Sequence, residues 1–90
     1  MWSGALSALA STVERYFFHV RDGVSVDDQE GTELPDFNAA RVAAVELAAS
    51  VLRERPAEFW GLGEWRLDVA NDQGLVLFSL HFFTTAAGLQ

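Results

Sequence analysis

Two segments of the chain are apolar at consecutive positions instead of alternate ones. One is Tyr16-Phe17-Phe18-His19-Val20; the other is Leu75-Val76-Leu77-Phe78-Ser79-Leu80-His81-Phe82-Phe83. A strand with one wet face alternates apolar and polar residues, whereas a strand covered on both faces need not. Glu64-Trp65-Arg66-Leu67-Asp68-Val69 does alternate. Between these strands Phe37, Ala40, Ala44, Leu47, Ala48 and Val51 recur at helical spacing. Asp36 is placed to cap that helix, and Pro56 prevents its easy continuation.

The turns complete the outline. Asp22-Gly23 is a hairpin signal, followed by a short strand at Val24-Ser25-Val26. Residues 27–33 read as a polar loop and 57–63 as a connector with at most one helical turn. Asn71-Asp72-Gln73-Gly74 joins the last two strands. The pattern predicts an α+β fold of order ββαββ, a four-stranded sheet with one helix packed on one face. Residues 15–83 form the domain. Residues 1–14 are a peripheral segment, in which Leu6, Leu9 and Val13 could line a short helix, and 84–90 are a tail. If the two doubly apolar strands are central, the spatial order is 24–26, 15–21, 75–83, 64–69; exchanging the last two gives the alternative.

Tyr16, Phe18, Val20, Trp65, Leu67, Val69, Val76, Phe78, Leu80 and Phe82 are assigned to the helix side. The outer face then carries Phe17, His19, Leu75, Leu77, His81 and Phe83, bordered by Glu64, Arg66 and Asp68. An apolar centre with a charged margin is the anatomy of an interface. These six residues are expected to form a seam between two copies of the chain. Cover by residues 1–14, or by another protein or ligand, are the alternatives.

Composition narrows the function. Ninety residues make one domain, and half of them are hydrophobic, generous for a domain that small. Net charge is −7, and all six basic residues are arginines. No basic patch is visible, which argues against direct nucleic-acid binding. Absence of cysteine removes disulfides and thiolate chemistry. No apolar run is long enough to span a membrane, and the N-terminus lacks a basic signal-peptide region. The expected location is the cytoplasm.

Candidate chemistry is sparse. His19 and His81 share the outer face and could approach each other in the first strand order, but a third metal ligand would have to come from Asp68, Glu64 or a second subunit. More simply, both are interfacial side chains. Asp27, Asp28, Glu30 and Glu33 could dock a basic protein partner. Their spacing is not that of a calcium loop, and a solvated loop is the plainer reading. No phosphate-binding glycine motif, nucleophile elbow or catalytic triad occurs. No catalytic residue, metal or cofactor is assigned, and the chain leans away from an enzyme.

Arg15-Tyr16-Phe17-Phe18-His19-Val20-Arg21-Asp22-Gly23, Glu30-Gly31-Thr32-Glu33-Leu34-Pro35-Asp36 with Ala39-Ala40-Arg41, and Trp65-Arg66 form a specific combination. Together they resemble a family of small bacterial proteins described only as a domain of unknown function. The resemblance covers about residues 15–83 and implies no activity. The topology is also loosely similar to antitoxin-like modules. The leading expectation is a non-enzymatic interaction or regulatory module acting as a homodimer through the outer face. An acidic inhibitor or antitoxin-like protein binding a basic or nucleic-acid-handling partner is the alternative. A small enzyme or metal site at His19 and His81 stands behind both.

Overall fold

The computed structural model describes residues 13–87. Residues 1–12, including Leu6 and Leu9 of the expected short helix, lie outside the described residues. So does the alternative cover of the outer face by that segment. In chain order the elements are β1 (Glu14–Arg21), β2 (Ser25–Val26), β3 (Thr32–Leu34), α1 (Phe37–Glu54), α2 (Pro56–Leu62), β4 (Glu64–Ala70) and β5 (Val76–Phe83). The fold is α+β, an antiparallel sheet with both helices between β3 and β4.

The spatial order is β2-β1-β4-β5, with β3 pairing the other half of β1's edge. The favoured sequence order is therefore corrected, and its alternative holds. The alternating strand β4 is central, while the doubly apolar β5 is an edge. Alternation in β4 does not mean exposure, because its polar residue Asp68 is buried among charged partners on the outer face. Two further elements correct the sequence outline. Thr32–Leu34 is a strand inside the expected polar loop, paired with Glu14–Tyr16. Pro56–Leu62 is a second helix, opened by its proline and closed at Gly63.

Helix α1 starts as expected. The Asp36 carboxylate accepts from the Ala39 N–H at 2.7 Å, satisfying one orphan donor of the first turn. Ala40, Ala44 and Ala48 are fully buried and form the core with Tyr16, Trp65, Leu67 and Val69. A line of alanines lets the helix backbone approach the sheet, so the volume beneath it is filled by the aromatics Tyr16 and Trp65. Trp65 meets Phe82 edge-on at 5.9 Å. Phe78, Leu80 and Phe82 on β5 are only half-buried, with Phe78 edge-on to Phe37 of the helix at 5.3 Å.

Cross-strand register fixes the outer face. His19 pairs with Asp68 and Asp68 with Ser79; Arg21 pairs with Arg66 and Arg66 with His81. Glu64 lies opposite Phe83. A register shift at Val69/Ala70 sets Ala70 against Val76 and leaves Leu77 as the extra residue.

Candidate functional site

The outer face centres on charge, not on apolar side chains. Asp68 is 8% exposed at the middle of β4. Its carboxylate accepts from Ser79 Oγ at 2.7 Å and from Arg66 Nη2 at 3.2 Å. Arg21 Nε lies 3.6 Å away on the other side. Arg66 Nε approaches Oδ1 at 3.0 Å but without hydrogen-bond alignment, which leaves it a buried donor without an acceptor. Arg21 and Arg66 oppose each other directly in the register. Two like charges so placed repel, and Asp68 between them turns the repulsion into a bridge. Arg21 continues the network to Asp27, donating from Nη1 to Oδ1 at 2.7 Å. That hydrogen bond is the main cause of a lowered Asp27 pKa; slight desolvation opposes it, and the charges of Arg21 and His19 assist.

The second feature is the gap between β2 and β3, which Asp28 fills. Beside β1, its Oδ2 accepts the Phe18 N–H at 3.2 Å. Its Oδ1 accepts the N–H groups of Glu30 and Gly31 at 3.1 and 3.0 Å. Its own N–H donates to His19 Nδ1 at 3.0 Å. Neutral His19 therefore carries its proton on Nε2. Burial pulls the Asp28 carboxyl upward, but the N–H groups of Gly31, Phe18 and Glu30, with help from His19, outweigh it. The carboxyl ends below the usual aspartate range. Gly31 makes the closure possible, since it sits at φ +74° with Arg15 Cγ and Phe17 Cε2 only 2.8 and 2.9 Å from where a Cβ would be.

These contacts relocate the residues read from the sequence. Phe17 and His19 stack at 6.4 Å and are half-buried beside the Asp28 loop. His81 and Phe83 are exposed on β5. Leu77 packs half-buried against the core at the register shift. Leu75 precedes β5 in the turn, exposed, with its N–H held by Asn71 Oδ1 at 3.0 Å. Strand β4 runs between His19 and His81, at least two strand spacings or about 9–10 Å, so the approach suggested by the first strand order does not occur. Among the described residues no three His, Asp or Glu side chains converge on a metal position.

The acidic stretch is largely engaged within the molecule. Asp27 holds Arg21, Asp28 holds the backbone, and Glu33 pairs with Arg15 at 3.0 Å. Glu30 takes part through its carbonyl, which accepts from Arg15 Nη1 at 2.8 Å. Ser79 is the hydroxyl in the cluster, and it donates to a carboxylate already engaged by two arginines. The face can bind through shape, apolar contact and fixed charge. No helix among the described residues is long and apolar enough to cross a membrane.

A family model described as a domain of unknown function, DUF6894, matches residues 15–84. Neither the curated proteins nor the solved structures contain a significant match.

Proposed function

We propose that this chain, which belongs to the DUF6894 family of domains of unknown function, is a non-enzymatic interaction module that works as a homodimer and offers the outer face of its sheet to a protein partner. One observation carries the reading. Among the described residues no helix or strand covers that face, yet it is built to a fixed shape. The Arg21-Asp68-Arg66 bridge holds its centre, and exposed His81 and Phe83 stand beside it. Such a surface is rigid and ready to dock without ordering cost.

Phe17, His19, Leu75, His81 and Phe83 become contact residues for a partner instead of a seam between two copies, while Leu77 belongs to the core side. Stacking two copies face to face would set one ionic cluster against another, with the desolvation of both. Phe83 is 70% exposed, so Phe83→Glu should leave the fold intact. Affinity capture with wild-type and Phe83→Glu baits of equal helical content tests the reading. A discrete partner retained by the first and lost by the second supports it; equal recovery on both opposes it.

A further inference from the structure

Strand β5 is an eight-residue edge bonded to β4 on one side, and no described strand pairs its other side. Its sequence, Val-Leu-Phe-Ser-Leu-His-Phe-Phe, contains no Lys, Arg, Asp, Glu, Pro or Gly. Charged, proline and glycine protection is therefore missing, and the register shift at Leu77 lies at the start of the strand and leaves 78–83 regular, so the unpaired N–H and C=O groups there are a template for another strand. The opposite edge of the sheet is different. There β2 and β3 are two and three residues long, and the Asp28 loop interrupts them.

A groove runs beside this edge on the helix side. It measures about 470 Å³ and lies between α1, through Arg41, Val42, Val45 and Glu46, and β5, through Phe78 and Leu80. Val42 and Val45 are 51% and 54% exposed on the flank of α1 that faces β5. Helix α1 packs over β4 and β3 and reaches β5 at Phe37, which meets Phe78 edge-on at 5.3 Å, while Leu80 and Phe82 further along stay half-buried.

We propose that the β5 edge and this groove receive a second copy of the chain, through antiparallel pairing of β5 with β5. The inference rests on the homodimeric reading above and assigns its seam. The groove's paired charges, Arg41 and Glu46, argue for the second copy over a foreign strand, against a like net charge that opposes association. Each copy carries a net charge of −7, so two copies approach with least repulsion along an edge that bears no fixed charge. The groove is lined by one cation, Arg41, and one anion, Glu46. A two-fold axis across it runs the two helices antiparallel and presents opposite charges to each other. A two-fold contact of this kind is self-complementary and closed, so pairing stops at two. The outer faces stay free on one side of a continuous sheet, while the helices of both copies close over β5 on the other.

Sedimentation of the full chain over a micromolar dilution series, with Val42→Glu/Val45→Glu and Glu64→Arg compared, tests this. Both groove positions are exposed in a single copy, so the double variant should keep its helical signal. The expected result is a wild-type dimer weakened about tenfold or more by the groove variant and unaffected by Glu64→Arg, which changes the exposed outer face of β4 beside Arg66 and leaves the β5 edge as it is. Amides along β5 should be protected from hydrogen exchange in the dimer and released in the groove variant. A dimer that persists in the groove variant overturns the inference; if Glu64→Arg disperses it, the seam lies on the outer face and the homodimeric reading stands. A wild-type monomer throughout overturns both. Loss of β5 protection on deleting residues 1–12, with no change of association state, assigns the groove to that segment and overturns the inference.

Discussion

Asp28→Ala should be among the most destabilising substitutions at any partly exposed position of this domain. The carboxylate accepts three backbone N–H groups, from Phe18, Glu30 and Gly31. Hydrogen bonds to a charged acceptor contribute roughly 1.5–3 kcal/mol each when well shielded. Asp28 is only partly buried, so the combined loss is about 2–4 kcal/mol. A domain of this size shifts its Tm by roughly 4–8 °C per kcal/mol, so Asp28→Ala should melt at least about 8 °C lower. Asp28→Asn is the sharper variant. Its amide keeps one acceptor oxygen but turns an NH2 toward either the Phe18 N–H or the Glu30 and Gly31 pair, so it should recover less than half of the loss. The pH dependence follows from the lowered pKa. A carboxyl held below its unfolded value contributes stability that is fully present above the unfolded pKa, about 3.9, and is lost as pH falls through the folded value. The wild type should therefore lose more stability on acidification below that range than Asp28→Ala does. Circular dichroism melts of the three proteins from neutral pH to pH about 3 provide the assay. A wild-type melting point for Asp28→Ala at neutral pH, or parallel acid profiles, would refute the reasoning.

Asp68→Ala removes the bridge between Arg21 and Arg66 and leaves two facing cations. With both arginines partly solvated the expected cost is roughly 2–3 kcal/mol by urea unfolding, and an unchanged midpoint would contradict the bridge. Ala44→Leu places three extra heavy atoms where α1 meets the sheet at zero exposure; the expected loss is at least about 1–3 kcal/mol, whereas Val45→Leu on the exposed flank should be near neutral in a single copy. Gly31→Ala should cost at least about 1 kcal/mol more than Gly74→Ala, because both sit at positive φ but only Gly31 has side chains within 3 Å of the added Cβ. Equal melting points for the two glycine variants would contradict that packing.

The alternating and helical periods identified β4 and α1, down to the Asp36 cap and the Ala40-Ala44-Ala48 line. Those patterns are local, and local pattern is what a sequence displays. Strand order was not legible, because β5 is apolar on both faces for a different reason from β1. Strand β1 lies between neighbours on both edges; β5 is an edge beside an unfilled groove. The signal was the same and the causes were distinct. Asp68 was misread for a related reason. A polar residue in an alternating strand suggests solvent, and only the register shows that Arg21 and Ser79 arrive from both sides to bury it. Asp28 looked like one acid among several in a loop. Its role depends on where the backbone of Phe18, Glu30 and Gly31 comes to lie, and side-chain type does not encode that. Helix α2 reads from the sequence as a connector with one turn, because its seven residues hold a proline, a glycine and an exposed Trp60.

Site-specific photo-crosslinking in cells tests the role of the outer face most directly. A photoreactive residue at His81 samples the exposed surface of β5, and one at Arg53 samples the exposed end of α1. The expected result is a discrete adduct with a second protein from position 81, lost in Phe83→Glu, and none from position 53. No adduct from position 81, or the same adducts from both positions, would contradict the assignment of the outer face as the docking surface.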